Sequence, residues 1–258
     1  MLSTMATYRL MARDLDRTLS LKAAEAPVRL EVDHYLERIG EIRSIEEFLG
    51  DNRVFRFAMT AFGLEDMAFA KGYMRKVLTE GVADPDAFAY RINDPRFLDF
   101  ARTFDFARLG EDTTRSAAVR DPVVARYVRQ SLEVSAGAEN EGVRLALYFR
   151  RAAPEVRSVY GILADPALSE VVRTTLGLPP QTAAMPIEVQ AAAIERRLNI
   201  ADLKDPEVID RMLIRFTSLW DATRETGADP LLELFNARPS ASVSLDLAMT
   251  LQGLRRGG

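Results

Sequence analysis

The sequence predicts an all-α, multi-helical fold, and three observations support this prediction. The dipeptide Asp-Pro occurs six times; an Asp side chain caps a helix N-terminus, and Pro fits the first helical turn. Apolar residues recur at spacings of three and four, as in helices buried along one face. The alternation of period two that indicates strands is nearly absent. The six signals begin at Asp84, Asp94, Asp121, Asp165, Asp205 and Asp229.

The composition fits one globular domain, which we expect to span residues 1–258. Apolar residues make up 48% of the chain and charged residues 28%, values that are ordinary for a folded protein. The absence of Cys and the presence of a single His exclude disulfides, thiolate metal sites and multi-histidine metal sites. The net charge of −4 argues against a nucleic-acid-binding protein.

The chain opens with an apolar stripe that predicts a terminal amphipathic helix. Two interpretations stay open: the helix docks onto the protein's own core, or it pairs with the other terminus or a second chain. No secretory signal and no transmembrane span are expected, so we predict a cytoplasmic protein, with export through a dedicated secretion channel without a cleaved signal as the alternative. The stripe consists of Met5, Tyr8, Met11, Leu15 and Leu19.

Further one-faced stripes predict helices over 28–42, 54–64 and 208–219. Between the first two, Ser44 and Glu47 form a capping box for a short helix, and Asp51 starts the next one. Longer helices are expected from about Pro122 to Ala152. Three prolines in residues 179–186 mark a break.

Near the C-terminus, residues 243–251 alternate in hydrophobicity, which permits a strand. A helix is preferred there because Leu, Met and Ala favour helices. The aromatic residues Tyr160, Phe216 and Trp220 are assigned to the core.

Two segments of the chain align at a constant offset of 114 residues, which predicts an internal duplication. Each has a short helix, an Asp-capped turn at Asp51 or Asp165, a longer amphipathic helix and a Gly-Leu stop at Gly63 or Gly177. Glycine suits the left-handed residue that ends a helix. We expect repeats at about 44–108 and 158–222, joined by the longer central helices.

No catalytic motif is present, and we predict no catalytic, cofactor-binding or metal-binding residues. His34, with Glu31 and Arg38 on the same helix, suggests a general base, but a boundary position is the preferred interpretation. The acidic group of Asp202, Asp205, Glu207 and Asp210 has oxygen ligands for a hard cation, yet lacks the EF-hand spacing. It is interpreted as capping and surface charge.

Four arginines offer a last candidate site, for phosphates or an acidic partner. They are interleaved with apolar residues, so a helix with one charged face is the preferred interpretation. They are Arg144, Arg150, Arg151 and Arg157.

Several segments together resemble a known family. Ala61–Leu64, Gly142–Phe149, Leu176–Pro179 and Asp202–Pro206 stand in the order found in an alphaproteobacterial family of unknown function. Its members are often encoded in or near flagellar gene clusters. The resemblance extends from Tyr8 to about Leu254 and rests on packing and capping motifs. It implies a flagellum-related role and carries no active site with it.

These observations predict a non-enzymatic helical structural or interaction protein, flagellum-related by resemblance. Its expected partner is a protein, either a flagellar component or a second copy of itself, and no cofactor is expected. The alternative is a cytoplasmic enzyme that uses carboxylate and Arg groups in an unrecognised pocket.

Overall fold

The computed structural model describes residues 3–92 and 94–225, and over these residues the predicted all-α fold is confirmed. Fifteen α-helices are joined by short loops and 3₁₀ turns, with no strand among the described residues. None of these helices is long and apolar enough to cross a membrane. The helices are α1 (Thr4–Arg13), α2 (Leu15–Ala24), α3 (Ala26–Arg38), α4 (Ile45–Gly50), α5 (Asn52–Ala61), α6 (Lys71–Glu80), α7 (Phe88–Arg91), α8 (Pro95–Thr103), α9 (Phe106–Leu109), α10 (Asp121–Glu139), α11 (Glu141–Ala152), α12 (Val159–Ala164), α13 (Pro166–Leu176), α14 (Ile187–Glu195) and α15 (Pro206–Glu225).

Four predicted aspartate caps accept hydrogen bonds from backbone N–H groups in the first turn of a helix. At α5, the Oδ1 atom of Asp51 lies 3.1 Å from the nitrogen of Val54. At α13, Asp165 accepts from the nitrogens of Ala167 and Leu168 at 2.9 and 3.0 Å. The other two are Asp94 before α8 and Asp205 before α15.

Two predicted aspartate caps are wrong, and another lies outside the described residues. The carboxylate of Asp84 accepts from the nitrogen of Asp86, which closes a turn, and α7 begins only at Phe88. Asp121 is already the first residue of α10 and makes no capping hydrogen bond. Its charge still faces the positive end of the helix dipole. Asp229 and residues 243–254 lie outside the described residues.

The described helices enclose two apolar cores. The N-terminal core lies among α3–α10 and is rich in phenylalanine, with Phe48, Phe100 and Phe104 almost fully buried. The C-terminal core is built on α11, α13 and α15 with α1 and parts of α10, α12 and α14, and it is mainly aliphatic.

Helix α10 takes part in both cores. Near its start Val123 is buried in the N-terminal core, and later Leu132 and Ala136 are buried in the C-terminal core. The helix packs against α5 on the N-terminal side and against α11 on the C-terminal side. A 19-residue helix is about 28 Å long, enough to support both cores.

The N-terminal stripe docks onto the protein's own core. Helix α1 packs against α11 and α15, with Tyr8 buried and Met11 partly buried in the C-terminal core. The carboxylate of Asp221 in α15 accepts from the backbone nitrogens of Thr4 and Met5 at 3.0 and 3.4 Å. Asp221 thereby fixes the start of the chain to α15.

The two predicted repeats have helix boundaries that correspond at the same offset. Helices α4 and α12 are both six residues long, and each begins after a serine, Ser44 or Ser158, that accepts from the backbone three residues on. Gly63 and Gly177 both adopt positive φ, at 68° and 63°. The internal duplication itself stays a prediction.

Candidate interaction surface

His34 lies half-buried on α3, and the carboxylate expected to orient it is bound elsewhere. Glu31 accepts two hydrogen bonds from the guanidinium of Arg53, at 3.0 and 3.1 Å. Arg38 pairs with Glu41 and Asp51. The structure therefore does not join His34 to the residues that would make it a general base.

The acidic residues near the start of α15 do not converge. Asp205 caps the helix, Glu207 lies 3.8 Å from Arg211, and Asp210 pairs with Arg150. Asp202 accepts a long hydrogen bond from Asn199. Across residues 3–92 and 94–225 no group of three acidic or histidine side chains is placed to hold a metal ion.

Three of the four candidate arginines bind carboxylates of their own chain. Arg144 pairs with Glu141, and Arg150 bridges the Tyr8 hydroxyl and Asp210. Burial raises the pKa of the Tyr8 hydroxyl, which keeps it a neutral partner. Arg157 is exposed on the loop before α12. The four side chains therefore form no common anion site.

A polar network that the sequence analysis missed links α10, α11 and α13. Glu133, which is 3% exposed, receives two hydrogen bonds of 3.0 Å from Arg151. The Arg151 guanidinium stacks on the ring of Tyr148, whose hydroxyl donates to Asp165. Burial, reinforced by that carboxylate, raises the pKa of Tyr148. The same Asp165 caps α13, so the network fixes one helix start against the central helices.

A groove of about 460 Å³ opens between the ends of α10 and α15. Its lining includes Glu139, Glu141 and Asp221 beside Trp220. Two of these carboxylates are bound within the chain: Glu141 pairs with Arg144, and Asp221 binds the start of α1. The groove therefore places Glu139 beside two carboxylates that already have partners within the chain.

The most unusual surface lies where the sequence analysis predicted only a break. Between Arg173 and Glu195 the single charged residue is Glu188, although charged residues make up 28% of the chain. Residues 183–189 are all exposed, and the exposed fractions are 45% for Met185, 47% for Ile187 and 48% for Val189. We call residues 179–193 the neutral surface.

The neutral surface is held in a defined shape. The Gln190 side chain donates to the carbonyl oxygens of Ala183 and Met185, at 3.2 and 2.7 Å, and so holds the loop against α14. Prolines at 179, 180 and 186 restrict the backbone further. A surface that is already ordered loses little conformational entropy on binding.

Helix α12 packs beside α14 and carries an exposed aromatic residue. Tyr160 is 51% exposed, so its assignment to the core is wrong, whereas Phe216 and Trp220 are buried. In the sequence, the neutral surface could have been found from the run of uncharged residues together with the apolar residues on two faces of α14.

Comparison with known proteins identifies the family. A family model described as protein of unknown function (DUF1217) matches residues 61–209. No curated protein matches the chain. The crystal structure of protein AGR_C_984 from Agrobacterium tumefaciens is 44% identical over 85% of this chain and 96% of that chain, with a TM-score of 0.77. The expected alphaproteobacterial family of unknown function is thus supported, while its flagellar gene context stays a prediction. The chain belongs to the DUF1217 family of proteins of unknown function.

Proposed function

We propose that this protein is a non-enzymatic helical interaction protein that docks through the neutral surface. The observation that carries the proposal is the exposure of large apolar side chains on an ordered, nearly uncharged segment. Met185, Ile187 and Val189 lie within five residues of one another, each close to half exposed. Apolar surface grouped in this way is typical of a protein-binding site, because burying it on association is favourable.

Helix α14 adds a second argument. Its inner side buries Ala191 and Ile194, yet its outer side carries Val189, Ala192 and Ala193 instead of charged residues. A helix that is apolar on both sides has the composition of a buried helix. We propose that a partner protein covers this outer side.

The flagellum-related part of the proposal rests on the family resemblance. Members of the resembled family are often encoded in or near flagellar gene clusters, so the partner that we propose is either a flagellar component or a second copy of this chain in a flagellum-related assembly. We expect the protein to act in the cytoplasm, with export into the flagellum as the alternative. Gene neighbourhood is an association and supplies no mechanism.

The test combines gene deletion with a surface variant. We expect deletion to reduce swimming or flagellar number, and Val189→Asp to reproduce the defect because it places a charge in the docking surface. The matched control is Leu30→Asp on α3, another exposed apolar position, at 59%, which should behave as the native protein.

Affinity capture from native cells names the partner. The tag belongs in the exposed turn at residues 83–86, away from the neutral surface. Loss of one set of captured proteins in Val189→Asp, but not in Leu30→Asp, supports the proposal. Normal motility of the deletion strain refutes the flagellar part, and identical capture by both variants refutes the docking surface.

A further inference from the structure

We propose that the neutral surface pairs two copies of this chain, with α14 of one copy lying antiparallel to α14 of the other across a two-fold axis. This inference rests on the proposed function because it uses the same surface, and it specifies the occupant. In a two-fold interface each contact occurs twice, so the surface must be complementary to itself.

The outer side of α14 has the shape that close pairing needs. Val189, Ala192, Ala193 and Arg196 are spaced by three, one and three residues, which places them on one helical face. The buried residues Ala191 and Ile194 lie on the opposite face. Alanine at the centre allows two helices to approach to about 8 Å, the close end of the usual interaxial range.

The charges at the two ends of this face complement each other. Glu188 lies in the first turn of α14 beside this face, Arg196 lies at the end of the face eight residues later, and both are exposed. Neither is in an ion pair with another described residue. When two copies run antiparallel about Ala192, Arg196 of each copy meets Glu188 of the other.

This pairing also fits the remaining residues of the surface. Val189 of one copy then lies beside the last turn of the second copy's α14, where the aliphatic stem of Arg196 covers it. An ion pair at each end with apolar residues between them gives a polar rim around an apolar centre, as in protein interfaces generally.

The test measures mass against concentration by sedimentation velocity on the full-length protein. The native chain should show a concentration-dependent dimer, and Val189→Asp should be monomeric over the same range. Leu30→Asp should dimerise as the native chain does. Circular dichroism and thermal unfolding of each variant establish that it is folded.

A charge exchange tests the geometry. Glu188→Arg alone and Arg196→Glu alone should each raise the dimer dissociation constant roughly tenfold, because two symmetric pairs are lost at once and like charges meet. The double variant should restore native affinity, a result that a merely structural effect on α14 does not produce.

Three other outcomes overturn the inference. A native chain that stays monomeric refutes self-pairing, and if Val189→Asp then loses a captured protein, the surface binds that protein and the proposed function stands. A dimer that survives Val189→Asp lies elsewhere on the molecule. A double variant no tighter than the singles refutes the antiparallel register.

Discussion

The two cores differ in how they are filled. Eleven of the twelve aromatic ring pairs among the described residues belong to the N-terminal core and its edge, and one, between Phe216 and Trp220, belongs to the C-terminal core. The C-terminal core packs smaller aliphatic residues around α11 and α13. The helix caps and helix-ending glycines are similar in the two halves, yet the cores that these helices surround differ chemically.

The difference also appears at the surface. In the N-terminal part Phe69 is 82% exposed, but it lies alone on a loop between Glu65–Met67 and α6. In the C-terminal part Met185, Ile187 and Val189 are exposed and lie within five residues of one another on the neutral surface. The two halves thus differ in how their exposed apolar residues are arranged, and the grouped set in the C-terminal half is the surface that we propose for a partner.

The largest expected loss of stability comes from a substitution in the aromatic core. Phe48 is fully buried and contacts the rings of Phe55 and Phe104, at centroid distances of 5.7 and 4.8 Å. Phe48→Ala should lower the free energy of unfolding by about 4–5 kcal/mol, since it leaves a cavity and removes ring contacts. Urea unfolding followed by circular dichroism measures the loss.

Phe149→Ala is the matched variant in the other core. Phe149 is equally buried but has no ring partner among the described residues, so its loss should be nearer 3 kcal/mol. A greater loss for Phe149→Ala than for Phe48→Ala contradicts the view that ring contacts distinguish the cores.

The next effect concerns the charged pair of Arg151 with the buried Glu133. Arg151→Met should cost about 2–3 kcal/mol because Glu133 is left without its partner while only 3% exposed. Adding Glu133→Leu should recover most of that loss, since the buried charge is then removed as well. Thermal and urea unfolding of the two singles and the double measure the coupling.

The control for this pair is an exposed one in the N-terminal half. Arg56 and Glu65 pair at 2.8 Å with side chains 69% and 48% exposed. Arg56→Met should therefore change stability by less than about 1 kcal/mol. If Arg56→Met and Arg151→Met lose similar stability, the burial of Glu133 does not determine how much stability the second variant loses.

The local signals made much of this fold predictable. Asp51 and Asp165 cap helices as expected because capping depends on neighbouring backbone atoms, and the stripe 54–64 is buried because its spacing is helical. Asp121 failed as a cap because the preceding 3₁₀ turn lets α10 begin at that residue. Such a shift depends on the tertiary path of the chain and not on the dipeptide.

The candidate site was less predictable. The Glu133–Arg151 pair joins positions 18 residues apart on different helices, and no local spacing indicates it. The neutral surface was visible as an uncharged run, but only the packing of α14 shows which of its residues are exposed. Tyr160 was misassigned for the same reason, because residue type alone does not tell on which side of α12 it lies.

The smallest expected effect sharpens the comparison of the two repeats. Gly63→Ala and Gly177→Ala should each cost about 1–2 kcal/mol, because both residues adopt positive φ, where a side chain is strained. Space is available at both: an added Cβ lies 3.6 Å from Arg96 at Gly63 and meets nothing within 4 Å at Gly177. Backbone strain alone should then determine how much free energy of unfolding each variant loses, and the two losses should be equal.

Gly161→Ala provides a control in which alanine should raise the stability instead of lowering it. Gly161 lies inside α12, where an added Cβ comes no nearer than 3.7 Å to a neighbour, so alanine should stabilise the protein by about 0.5–1 kcal/mol through its higher helix propensity. Equal losses at the two stops with a gain at Gly161 would show that one helix-ending device works identically in both halves. A loss confined to one stop would mean that the resemblance of the repeats is limited to their helix boundaries, and the duplication would lose its strongest support.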